Sequence, residues 1–310
     1  MSSACRHTRK AKQEKKICRN KASEEDSRHI AEVWRGRLLT QEGSQKAGNR
    51  PRTALDGKTW AKYSISIWHD VNKTAEERRM GHPAAFPCAL PQRLIEIFSH
   101  EGDLVIDPFA GTGSTLVAAA RLGRRALGLE IDPSFVQLAG RRLSAEKPGL
   151  ATIIHAEAAL LCKYVEPASA ALCVTSPPYW NVLSRKRTAD YRPGRDYAGH
   201  RGDLSRVADY GEFINALGEV FSATLKSLKP NGYCVVNVMD LRKKNVFYPL
   251  HMDLAQELQR RGFTLDDIII WDRRADYNNL RPLGYPFVFR VNKVHEYLLI
   301  FQKRSPQARK

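Results

Sequence analysis

The sequence predicts an α/β protein, a mostly parallel, twisted sheet with helices on both faces. Three stretches predict it. Residues 103–132 run as strand, tight turn, helix and strand: Leu104 to Ile106 ends at Asp107, Gly111 and Gly113 punctuate the turn, an alanine-rich segment follows, and a second apolar run ends at Glu130. Residues 171–180 are an apolar run that delivers Ser176-Pro177-Pro178-Tyr179 to a strand end. Ile268 to Trp271 and His295 to Gln302 are strand-like and able to pair side by side.

The chain has 310 residues, enough for one catalytic domain with a sizeable core. Lys and Arg exceed Asp and Glu by 17, which points to a polyanionic partner. Cysteines at 5, 18, 88, 162, 173 and 234 show no Cys-x-x-Cys spacing and no paired histidines, so neither a zinc site nor a disulfide framework is supported, and no metal is expected. Cys88, after Pro87 and outside any strand end, is taken as structural. There is no signal peptide and no apolar run near 18 residues, so a cytoplasmic, nucleoid-associated protein is expected.

In chain order, residues 1–58 are a basic, partly disordered extension with 15 Lys and Arg against 7 Asp and Glu. Within it Ser23 and Asp26 open a short helix through Leu39. Trp60 to Trp68 alternates and predicts a half-buried strand at the start of a single domain spanning 59–303. His82-Pro83 to Pro87 leads into a helix with Leu94, Ile95 and Phe98 on one side. In the following βαβ unit the glycines leave room for a ligand at the helix N-terminus, and Glu130 at the second strand tip suits two ribose hydroxyls. No lysine follows Gly113 for a triphosphate, and Leu116 stands where a dinucleotide loop has its third glycine.

Pro133 opens the next helix, with Phe135, Leu138, Ala139 and Leu143 on its apolar side. A strand over Thr152 to His155 precedes Glu157. The prolines at 177 and 178 remove two amide donors and aim the local carbonyls outward, while Tyr179 supplies a flat face for an extruded base with an exocyclic amine. The inserted loop 181–206 holds seven Lys and Arg, among them Arg185, Lys186, Arg187 and Arg192, as a DNA-facing surface. A helix over Tyr210 to Leu228, ended by Lys229-Pro230-Asn231-Gly232, a strand over Tyr233 to Met239 and a helix over Pro249 to Arg261 follow. Residues 272–293 carry Arg273, Arg274 and Arg281 among Tyr277, Tyr285, Phe287 and Phe289 as a second DNA surface, and 304–310 is a basic tail.

Asp107-Pro-Phe-Ala-Gly-Thr-Gly113 resembles motif I of the amino-methylating DNA methyltransferases, and Ser176-Pro-Pro-Tyr179 resembles their motif IV. His82-Pro-x-x-x-Pro87 matches their motif X in spacing and order, so Trp60 to Lys303 resembles the cytosine-N4 and adenine-N6 family. The resemblance implies a Rossmann-like S-adenosylmethionine-dependent methyltransferase fold with an antiparallel closing strand. It assigns S-adenosyl-L-methionine to His82, Asp107, Phe109, Gly111, Gly113, Ser114, Glu130 and Glu157: the ribose to Glu130, the adenine amino group to Glu157, the methionine end to the rest. It makes Ser176, Pro177, Pro178 and Tyr179 catalytic, and double-stranded DNA the partner. A serine first in motif IV is typical of cytosine-N4 members; adenine-N6 methylation, an RNA substrate, a binding-only role and a monomer or homodimer all stay open. Many members carry a long target-recognition region, and none is evident here.

Overall fold

The computed structural model describes residues 55–79, 86–182, 202–243, 245–276 and 282–305. The 1–54 extension, its expected helix, His82, Arg185, Lys186, Arg187, Arg192 and Arg281 lie outside the described residues. In chain order the strands are β1 Ile67–Trp68, β2 Leu104–Asp107, β3 Arg125–Glu130, β4 Ala151–His155, β5 Ala170–Thr175, β6 Leu228–Val238, β7 Leu241–Lys243, β8 Val246–Tyr248, β9 Thr264–Asp272 and β10 His295–Gln302. The helices are α1 Gly57–Tyr63, α2 Ala75–Arg79, α3 Ala89–Phe98, α4 Ser114–Arg121, α5 Pro133–Leu143, α6 Tyr210–Ser227 and α7 Leu250–Arg260.

Eight strands form one sheet in the order β1, β9, β10, β6, β5, β2, β3, β4. Its pairings are parallel except those of β10, which runs antiparallel to both β6 and β9. The order explains where a ligand can sit. The chain steps outward from β2 to β3 and β4, then returns to place β5 on the other side of β2, so the crevice beyond the carboxyl ends of β2 and β5 is a topological switch point.

Strand alternation divides the core between the two faces. Val105, Leu172, Val174, Val235, Leu298 and Ile300 pack with Leu94 and Ile95 of α3 and with Leu116 of α4. Their neighbours Ile106, Cys173, Cys234 and Phe301 are buried as well, which a sheet covered on one face would not allow. On that second face Phe301 meets Phe263 at 5.7 Å, and α6 packs against α7.

Two expectations need correction. Residues 57–63 are a helix, because Asp56 caps it: its carboxylate accepts from the amides of Lys58 at 2.9 Å and Thr59 at 3.0 Å. Of the alternating stretch, Ile67 and Trp68 alone are strand. Lys229 to Gly232 do not separate helix from strand either; they lie within β6, where Asn231 at φ +62° and a register shift against β5 absorb them.

Candidate functional site

The glycine turn builds one half of the site. Gly113 at φ +79° turns the chain into α4, and a Cβ there would stand 3.0 Å from the Cβ of Ala139. Ala110 N donates to Leu129 O of β3 at 2.9 Å, which binds the turn to the sheet. Ser114 Oγ donates to Phe86 O at 3.1 Å, tying the start of α4 to the segment that leads into α3. Arg142 of α5 reaches over to donate to Thr112 Oγ1 at 3.1 Å and to Cys88 Sγ at 3.0 Å. The sequence carries no motif for Arg142; its role follows from packing alone.

Two buried carboxyls sit at the strand ends. Glu130 accepts from Gly111 N and Asp132 N, each at 2.8 Å, so both oxygens are anchored while each keeps a lone pair. Burial pushes its pKa up to about 7, against the lowering effect of the two amides. Asp107 accepts from Thr175 Oγ1 at 2.6 Å and Phe109 N at 3.1 Å, which joins β2 to β5 at the switch point. Burial raises Asp107 to about 6, and its Oδ2 has no partner among the described residues.

The tetrapeptide after β5 builds the other half. Ser176 Oγ donates to the backbone carbonyl of Asn237 on β6 at 3.1 Å. Tyr179 OH donates to Glu296 Oε2 on β10 at 2.7 Å and lies 3.3 Å from both Ser176 Oγ and Asn237 Nδ2. Asn237 Nδ2 also donates to Glu296 Oε2, and Arg273 pairs with Glu296 Oε1. Burial, then the adjacent Glu296 carboxylate, drives the Tyr179 phenol well above its ordinary pKa, so it stays a donor. Trp180 follows at φ +48°, a strained conformation for a bulky residue, held by Nε1 donating to Val207 O at 2.8 Å and by Lys243 Nζ 3.8 Å above its ring.

Both halves open into one cleft of about 930 Å³ including its mouth. It is lined by Phe109, Gly111, Ser114 and Glu130 on one side and by Ser176, Pro177, Pro178 and Tyr179 on the other, with Leu129 and Phe135 as apolar wall. Of the residues expected at the cofactor or DNA surfaces, Asp107 and Gly113 are not among those that line the cleft, and three more land elsewhere or differently. Beside β4 the lining comes from Ala156 and Ala158; Glu157 turns its carboxylate against Gly202, whose added Cβ would come within 2.5 Å of Oε2. Arg273, expected on a DNA surface, is turned inward to Glu296 and to Asp276 at 3.2 Å, over the Trp271 ring. Arg274 is exposed and pairs with Asp272 at 2.6 Å. Asn237 and Glu296 escaped sequence reasoning, since no local spacing marks them.

Fold and cleft together define an α/β protein whose glycine turn and Ser176 to Tyr179 tetrapeptide share one cavity. The DNA methylase family of N6 and N4 methyltransferases matches residues 2–141 and 170–309, and the chain belongs to it. Among curated relatives, the type II methyltransferase M.BglI of Bacillus subtilis is 38% identical over 95 residues, covering 30% of this chain and 26% of that one. M.HpaI of Haemophilus parainfluenzae, also a type II methyltransferase, is 32% identical over 117 residues, covering 38% and 35%. The matched stretches thus span about a quarter to a third of these relatives. Among solved structures, TrmN from Thermus thermophilus superposes with a TM-score of 0.48 at 14% identity, covering 73% of this chain and 52% of that one.

The residues present fit S-adenosylmethionine. Glu130 offers two anchored oxygens to a ribose diol, and Phe135 and Leu129 offer apolar surface to an adenine.

Proposed function

We propose that the chain is an S-adenosylmethionine-dependent DNA methyltransferase that methylates the exocyclic 4-amino group of a cytosine turned out of double-stranded DNA. The observation that carries this reading is the shared cleft: the motif I loop and the Ser176 to Tyr179 tetrapeptide line the same cavity, as a transfer between two bound molecules requires. When bound, S-adenosylmethionine supplies an electrophilic sulfonium methyl.

The amine of cytosine is a poor nucleophile because its lone pair is delocalised into the ring. Ser176 donates its O–H in a hydrogen bond to the Asn237 carbonyl, which leaves the hydroxyl oxygen free to accept a hydrogen bond from that amine. Pro177 and Pro178 place no amide donor nearby to compete. Accepting the amine's hydrogens favours a pyramidal nitrogen aimed at the methyl group, while Tyr179 stacks against the base. Ser176 is no base at neutral pH, so the proton leaves to solvent after transfer. Orientation of this kind supplies on the order of 7 to 11 kcal/mol. The serine that opens the tetrapeptide supports cytosine over adenine.

Nucleoside mass spectrometry of plasmid DNA from an unmethylated host that expresses the chain tests the proposal, with Tyr179→Ala as control. The expected outcome is a 4-methylcytosine peak that the control lacks. A 6-methyladenine peak would retain the reaction and overturn the base; no modified base would remove DNA methylation.

A further inference from the structure

The connection from β9 to β10 holds the most exposed large apolar side chains among the described residues: Phe289 is 93% exposed, Phe287 91% and Tyr285 79%. This is a built projection. Gly284 O accepts from Phe287 N at 2.9 Å and Val288 N at 2.8 Å, and Gly284 itself sits at φ +81°, where a Cβ would collide with Val288 O. Arg273 N donates to Val294 O at 2.8 Å and closes the neck. Arg290 Nη2 donates to Asn245 Oδ1 at 2.9 Å, and Lys293 Nζ lies 4.5 Å over the Phe247 ring, so the β7–β8 hairpin and the projection brace each other.

Charge and position identify the occupant. Residues 241–248 and 282–294 together hold five Lys and Arg and no Asp or Glu. The neck joins the carboxyl end of β9 to the start of β10, where His295 pairs with Asp272 and the next residue, Glu296, accepts from Tyr179. The aromatic tip therefore rises beside the base pocket, with the cations of 241–248 and 282–294 around it and the acids Asp272, Asp276 and Glu296 paired with Arg273 and Arg274 at the neck. Cations that meet phosphates under rings that stand clear of the surface suit a duplex whose stack is opened, since inserted apolar side chains replace lost stacking.

We propose that Tyr285, Phe287 and Phe289 form a wedge that enters the base stack of duplex DNA and fills the gap left when the target base turns into the cleft. The proposal rests on the DNA-methyltransferase reading, yet its test reads binding and not methylation. Fluorescence anisotropy compares an intact duplex with one carrying a single abasic site, using the full chain saturated with S-adenosylmethionine. The wild type is expected to prefer the abasic duplex by roughly tenfold, because the unstacking is already done. Phe287→Ala with Phe289→Ala removes most of that preference, and Phe287→Trp with Phe289→Trp keeps it. Both variants retain cofactor affinity by calorimetry, since these rings touch nothing in the cleft.

An alanine variant that keeps the preference, or a wild type without one, overturns the wedge. So does sedimentation showing that the alanine variant breaks a wild-type dimer while the preference stays, which would make the tip a contact between copies. A chain that modifies plasmid DNA without tip-dependent preference keeps its function and loses the wedge; tip-dependent preference without a modified nucleoside does the reverse.

Discussion

If Glu130 takes the ribose diol, it must be ionised to accept both hydroxyls, and burial pushes its pKa up to about 7. Cofactor affinity should therefore rise with pH between about 6 and 8, by up to roughly tenfold. The unliganded protein should respond in the opposite sense. A carboxyl whose folded pKa is raised contributes stability that is fully present below its ordinary pKa of 4.5 and is lost as pH rises through about 7. Asp107, raised to about 6, acts in the same direction. Calorimetric titrations across this window check the point: Glu130→Gln should bind weakly and without pH dependence, and an unchanged profile would remove Glu130 from the ribose. At this scale the strand-end positions of Asp107, Glu130 and Ser176 were legible because each closes an apolar run. Arg273 read as a surface cation because its partner, Glu296, is 23 residues away and only the β9–β10 pairing brings them together.

The antiparallel strand β10 does more than close the sheet, because its second residue braces the tetrapeptide that β5 delivers. Glu296 is buried, and its two oxygens divide between Arg273 on one side and Tyr179 with Asn237 on the other. If this brace positions Tyr179, then Tyr179→Phe and Glu296→Gln remove the same interaction. Each should slow turnover with S-adenosylmethionine affinity unchanged, and the double variant should be no slower than the worse single one, a coupling of about 1 to 3 kcal/mol. Single-turnover rates, with thermal melts to confirm folding, decide it; additive losses would show that the two side chains act apart. Legibility at the element scale followed local signals. The span of β10 was readable from its apolar run, and α5 from Pro133. The helix α1 was missed because the alternation from Trp60 outweighed the cap at Asp56, and the three-residue strands β7 and β8 are too short to show a period.

Over the whole molecule, the cleft and the charge are separable. Every described residue that lines the cleft falls between Phe86 and Leu204, whereas residues 1–58 alone carry 8 of the 17 surplus positive charges. The mostly parallel sheet and the pairing of β9 with β10 were legible in the sequence, whereas the strand order that makes β2 and β5 flank the switch point came from the structure; no pattern in the sequence says where a polyanion would meet the excess charge. Binding to duplex DNA should weaken steeply with salt, because each neutralised phosphate releases condensed counterions. Removing residues 1–54 should make the plot of log affinity against log salt shallower by about 0.9 for each phosphate that the extension neutralises. Cofactor affinity should not change, because the shortened chain keeps every described residue that lines the cleft. A salt slope equal to that of the full chain would place the phosphate-binding cations on the folded unit, with the charge of the extension left to solvent.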